Sequence, residues 1–259
     1  MKQLFVENIY ILGLKKNEIK IRQEFENNFP KEKTIFVMKD GVTSNTNVGT
    51  MSSTLWNILS HNTIDEVSQD IFKNHMEIIR NAYDHGKESI LILEEDARFP
   101  DWNETKWKNI ETWLMSSKSW DIFYLGYCNW PVPWSIKIAK HIVRVASPLA
   151  AHAYILNRTG MYKIITTLEN NKQMSKLHID KFFLKVRGLR KYAAYPMISF
   201  QETCPGLYLK ACDKLRVRIL FSTCCKMNQH LSILFPIVII FLFTFWISFS
   251  FAKMIKKIY

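Results

Sequence analysis

Between residues 8 and 202, short β-rich runs alternate with segments of helical period. No other feature limits the fold as much. "NIYIL" (8–12), "TIFVM" (34–38), "SILIL" (89–93), "WDIFYLGY" (120–127), "HIVRVA" (141–146) and "HAYIL" (152–156) read as strands. Between them, residues 17–29 have helical spacing and stop before Pro30. Thr63 and Glu66 form a capping box for a long helix reaching about His85, with Ile71, Met76, Ile79 and Ala82 along one side and Gly86 ending it. Trp107, Ile110 and Leu114 mark another helix face, and residues 159–168 and 179–186 two more. This order predicts an α/β fold with a mostly parallel sheet flanked by helices, in which ligands bind beyond the carboxyl ends of the strands. Residues 40–53, rich in Gly, Ser, Thr and Asn, read as a loop.

Where "SILIL" stops, Glu94, Glu95 and Asp96 stand side by side. Like charges this close raise one another's pKa unless a cation neutralises them. At a strand end facing a crevice, a hard ion such as Mg²⁺ or Mn²⁺ would do so and keep room for a diphosphate. The plainer alternative is a solvated turn beside a helix N-terminus.

The 259 residues suffice for one sizeable domain or two small ones, and 48% hydrophobic content excludes a disordered chain. A formal charge of +12 suits a polyanionic partner (nucleic acid, membrane surface or nucleotide phosphate), or reflects solvated lysines alone. No aromatic-basic interleaving supports nucleic acid. Five cysteines, an odd number without metal spacing, give no disulfide framework.

Leu231–Ala252 runs 22 residues without a charge, long enough for a single transmembrane helix. Residues 210–230 then read as a basic juxtamembrane segment, residues 253–259 as a short tail and residues 1–209 as the main domain. Flanking charges place that domain in the cytosol. The Lys256-Lys257 ending, which looks like a dilysine retrieval signal, and the sequons at Asn103 and Asn157 point instead to the endoplasmic-reticulum lumen.

Five pieces in order carry a family resemblance: "ILILEEDARF", "WDIFYLGY", "AHAYILNRTGMYKII", "HIDKFF" and "YAAYPMISFQ". Together they resemble glycosyltransferase family 25, which includes lipopolysaccharide glycosyltransferases and collagen galactosyltransferases. "NIYILGLKKNEIKIRQEF" looks like that family's first strand and basic helix. "NHMEIIRNAYDHGKESILIL" looks like its Ser-His helix, with Asn74 in place of Ser and His75 kept. The family's Leu-Glu-Asp-Asp motif reads Leu93, Glu94, Glu95, Asp96 here, so Glu95 replaces an Asp.

The resemblance implies a GT-A-like, Rossmann-type fold and a nucleotide-sugar donor, UDP-galactose or UDP-glucose by inheritance. It implies a divalent metal held by Asp96 and Glu94, with Glu95 and His152 near the donor, and Asp180 as the base of an inverting transfer. His178 is a further candidate for the metal shell or a phosphate contact. The acceptor is a glycan, protein or lipid-linked hydroxyl. Rival readings are another metal enzyme on an α/β fold, a non-catalytic nucleotide-sugar- or glycan-binding membrane protein of this fold, and a scaffold whose triplet is only a turn.

Overall fold

The computed structural model describes residues 4–40, 66–100, 102–117, 119–129 and 135–201, together with residues 234 and 238. Its main sheet has eight strands: β1 (Asn8–Leu14), β2 (Thr34–Lys39), β3 (Ser89–Glu94), β5 (Ile122–Tyr124), β7 (Ser135–Ala139), β8 (Ile142–Val145), β10 (Ala153–Asn157) and β11 (Lys191–Ala194). Their spatial order is β2-β1-β3-β10-β5-β11-β8-β7. Two short ribbons are added, β4 (Ala97–Arg98) with β12 (Phe200–Gln201) and β6 (Cys128–Asn129) with β9 (Pro148–Leu149). The helices are α1 (Glu18–Glu26), α2 (Glu66–Asp84), α3 (Glu104–Ser116), α4 (Arg158–Asn170) and α5 (Ile179–Lys185).

Strand periodicity builds three layers. In β3, Ile90 and Ile92 face one side, where Phe72, Met76 and Ile79 of α2, Met161 and Ile164 of α4, and Phe182 and Phe183 of α5 pack. Leu91 and Leu93 face the other, against Ile21 and Phe25 of α1 and Trp107, Ile110 and Leu114 of α3. Both faces are covered, which is why "SILIL" is apolar at every position after Ser89 rather than alternating.

The expectation of a mostly parallel sheet holds for strand direction. β1, β2, β3, β5, β7 and β11 run one way; β8 and β10 run against them. β10 is reversed because no crossover helix separates it from β5: the chain passes through β6 to β9, forming the β7–β8 edge of the same sheet on the way, and enters β10 from the end where β5 stops. The expected strand over 120–127 is shorter than its sequence suggests. After Tyr124 the chain leaves the sheet, and the Leu125 carbonyl accepts from the backbone N–H groups of Ile198 and Ser199.

The expected membrane attachment is corrected. Among the described residues, no helix is long and apolar enough to cross a membrane. Within Leu231–Ala252 only Leu234 and Val238 are described, both helical; the remainder, like the basic segment 210–230 and the tail 253–259, lies outside the described residues. The sequons, read as signs of a lumenal domain, serve as helix caps. Asn103 Oδ1 accepts from the Lys106 N–H at 2.9 Å, and Asn157 Oδ1 from the Gly160 N–H at 2.8 Å, while the Asn157 amide donates to the Trp120 carbonyl. Thr63 of the expected capping box, the loop at 41–53 and Trp130–Trp134 are outside the described residues.

Candidate functional site at the carboxyl edge of the central strand

β3 lies between β1 and β10, and its last residue, Glu94, pairs in register with Leu12 of β1. The Glu94 N–H donates to the carbonyl of His152 at 2.8 Å. Glu94, at the end of β3, and His152, just before β10, therefore meet at one edge of the sheet. Asp96 follows two residues later, in the turn between β3 and β4.

The three carboxylates take different surroundings. By alternation Glu94 continues the face of Ile90 and Ile92 toward α2, where the fully buried His75 places Nε2 3.1 Å from Glu94 Oε1. The Glu94 side chain keeps 21% exposure. Burial pushes its pKa up, but the His75 hydrogen bond and then the electrostatic pull of His75 and His152 outweigh burial and leave it below the ordinary carboxylate value.

Glu95 turns toward α1. Its Oε2 accepts from the Leu14 N–H at 2.9 Å and its Oε1 from the Asn17 amide at 3.0 Å, so both oxygens hold the turn that follows β1. Gly13 leaves the room for this: a Cβ there would lie 2.9 Å from Glu95 Oε2. Asp96 is 9% exposed, the most enclosed of the triplet.

His152 is buried, and among the described residues neither ring nitrogen has a hydrogen-bond partner. Burial pushes its pKa down to about 4, against the opposing pull of Glu94 and the Ser199 backbone. Gly126 sits directly beneath it, where a Cβ would lie 2.6 Å from His152 Nε2 and 2.2 Å from the Ser199 carbonyl oxygen.

Asp180, in the first turn of α5, lies against the same loop. Its Oδ1 accepts from the Lys181 N–H at 2.7 Å, and its Oδ2 faces the Ala150 N–H at 3.4 Å, two residues before His152. The hydroxyl of Tyr124, at the end of β5, is buried and without a partner among the described residues. Burial and then the charge of Asp180 push the pKa of Tyr124 well up. His178 is the N-cap residue of α5.

Sequence reasoning did not find the supports: Tyr154, Asn17, Gly13 and Gly126. Their signals are weak because a buried Tyr and a strand Gly look like ordinary core.

Among the described residues no group of three or more His, Cys, Asp or Glu side chains is assembled to hold a metal ion. With Glu95 committed to the turn after β1, Glu94 and Asp96 are the carboxylates of the triplet that could hold such an ion. Such a pair suits a Mg²⁺- or Mn²⁺-type ion completed by water and phosphate oxygens, and not a closed protein cage.

The fold and this edge define a class: an α/β protein with carboxylates at the end of a central strand. No family model matches the sequence, and no curated protein is similar to it. Among solved structures, the chain is similar to a mannose-1-phosphate geranyltransferase from Thermus thermophilus (TM-score 0.42, 8% identity, 72% of this chain and 73% of that one). It is also similar to A197 from STIV (TM-score 0.40, 10% identity, 72% and 81%) and to a glycosyltransferase involved in glycosylation of the major capsid of PBCV-1 (TM-score 0.36, 11% identity, 83% and 99%). Likenesses of this degree carry no chemistry over to this chain.

Proposed function

We propose that the chain is a metal-dependent glycosyltransferase that moves a hexose from a nucleotide-sugar donor, a UDP-hexose by its family resemblance, to a hydroxyl of a glycan or protein. The observation that carries this reading is the position of Glu94 and Asp96, two residues apart at the carboxyl end of β3, with Glu94 held below its ordinary pKa beside the buried His75 and His152. Bound between these carboxylates, a divalent cation would neutralise the donor diphosphate as it leaves.

The chain's own groups divide the remaining work. Glu95 holds the turn after β1 against the acidic turn. His152, neutral at physiological pH, offers a buried ring nitrogen to a phosphate or sugar oxygen. Asp180 takes the acceptor hydroxyl proton as the acceptor oxygen bonds to the anomeric carbon and the bond from that carbon to the phosphate oxygen breaks. Inversion follows from attack on the face opposite the leaving group.

The test is donor hydrolysis by the full chain over a panel of nucleotide sugars, with Mn²⁺, with chelator and with Asp96→Ala. Nucleoside diphosphate release is expected with one donor. It should be abolished by chelation and reduced about a hundredfold or more by Asp96→Ala. Metal-dependent UDP binding without release from any donor would replace the transferase reading with a binding protein of the same fold. Glu95, with both oxygens engaged and standing where the family motif has Asp, is the residue that favours this second reading.

A further inference from the structure

We propose that His75 is the positioning residue of Glu94: the buried pair Tyr154–His75 fixes which carboxylate oxygen Glu94 presents to a divalent cation and its diphosphate. This rests on the functional reading above.

His75 lies within α2 and is completely buried. Both ring nitrogens are engaged, Nδ1 with the Tyr154 hydroxyl at 2.7 Å and Nε2 with Glu94 Oε1 at 3.1 Å. The direction of these bonds follows from chemistry. An ionised carboxylate only accepts, so Nε2 carries a proton; in the neutral imidazole Nδ1 then accepts, and the phenol O–H donates to it. Burial raises the Tyr154 pKa, with the charges of Glu94 and Tyr124 adding to it, so its hydroxyl keeps that proton.

The anchor is rigid. Tyr154 sits in β10, hydrogen-bonded to β3 on one side and β5 on the other, and its ring lies 5.8 Å from that of His75 at an interplanar angle of 19°. The relay therefore starts in the middle of the sheet and ends on a side chain at its edge. A histidine needed only for packing would find its partners within the core. This one makes a bond to the carboxylate that closes the central strand, taking Oε1 of a side chain that keeps 21% exposure. Holding a ligating carboxylate in one rotamer is the usual part of an outer-shell group, and its loss typically costs about tenfold or more in metal affinity.

The experiment is a Mn²⁺ titration of the full chain in the presence of UDP. Free Mn²⁺ is followed by electron paramagnetic resonance, so no turnover is needed. His75→Phe keeps the ring volume and removes both bonds; it is expected to weaken Mn²⁺ binding about tenfold. His75→Gln, which retains a donor and an acceptor, should recover most of that loss. Tyr154→Phe, which removes one hydroxyl, should shift affinity the same way by a smaller factor. Folded His75→Phe with wild-type Mn²⁺ affinity, or a loss that Gln does not rescue, overturns the proposal. If His75→Phe does not fold, unchanged Mn²⁺ affinity in folded Tyr154→Phe overturns it instead. Absence of Mn²⁺ binding by the wild type would sink the functional reading itself, whereas a binding wild type with indifferent variants sinks only the role of His75.

Discussion

At the residue scale, three adjacent like charges are tolerated because the strand ends among them. Glu94 still obeys strand alternation and turns to α2, while Glu95 and Asp96 belong to the turn, where Glu95 reaches the start of α1. A one-residue shift of the strand end would exchange these surroundings. The acidic triplet and its place at the end of a strand were legible in the sequence. The division of labour inside it was not, because that depends on the partners Leu14, Asn17 and His75, which are brought from 19 to 81 residues away. Gly126 gives a sharp test at this scale. With a Cβ 2.2 Å from the Ser199 carbonyl oxygen and 2.6 Å from His152 Nε2, Gly126→Ala must push the backbone of the Ser199 loop or the buried imidazole. Urea unfolding of the full chain should show a loss of about 1–3 kcal/mol. Unchanged stability would mean that the loop and the imidazole yield freely.

At the element scale, one buried ion-pair group ties three elements together at the opposite edge of the sheet. Asp121, completely buried just before β5, accepts from Lys163 of α4 at 2.7 Å and from Arg190, just before β11, at 2.7 and 3.1 Å. Burial pushes its pKa up, but the hydrogen bonds from Arg190 and Lys163 prevail and hold it below 3.8. A carboxyl whose folded pKa lies under its unfolded value stabilises the fold above the unfolded value, and that contribution disappears as pH falls through the folded one. Asp121→Asn is therefore expected to cost about 3 kcal/mol at pH 7, the lower end for a broken buried pair, since Lys163 and Arg190 keep 28% and 36% exposure and can turn to water. Below pH 3.8 the gap between variant and wild type should narrow. A gap constant from pH 7 to 3 would show that ionisation of Asp121 contributes nothing. Of the elements joined here, β5 and α4 were visible in the sequence as an apolar run and a helical period, whereas β11, only four residues long, was not among the expected strands. β5 was overread: Leu125, Gly126 and Tyr127 continue its apolar run, but the Leu125 N–H makes a last bond to the Ala153 carbonyl of β10 while its own carbonyl turns to Ile198 and Ser199.

For the whole molecule, the decisive property is the donor set that the described residues bring to the end of β3. Two carboxylates with no third His, Cys, Asp or Glu grouped with them among the described residues should hold a divalent ion weakly on their own and much better once phosphate oxygens complete its coordination. Binding to the folded state alone stabilises it by mass action, by about 2.7 kcal/mol at a hundredfold excess over the dissociation constant. For a chain of this size that corresponds to a rise in melting temperature of about 5–10 °C. Mn²⁺ and UDP together should therefore raise the melting temperature by more than the sum of their separate effects, and Asp96→Ala should abolish the excess. An equal rise with UDP alone would mean that protein groups, His152 and the basic side chains among them, hold the diphosphate without a metal. No rise with both would mean that the carboxylates at the end of β3 close a turn and hold nothing, whatever the fold around them resembles.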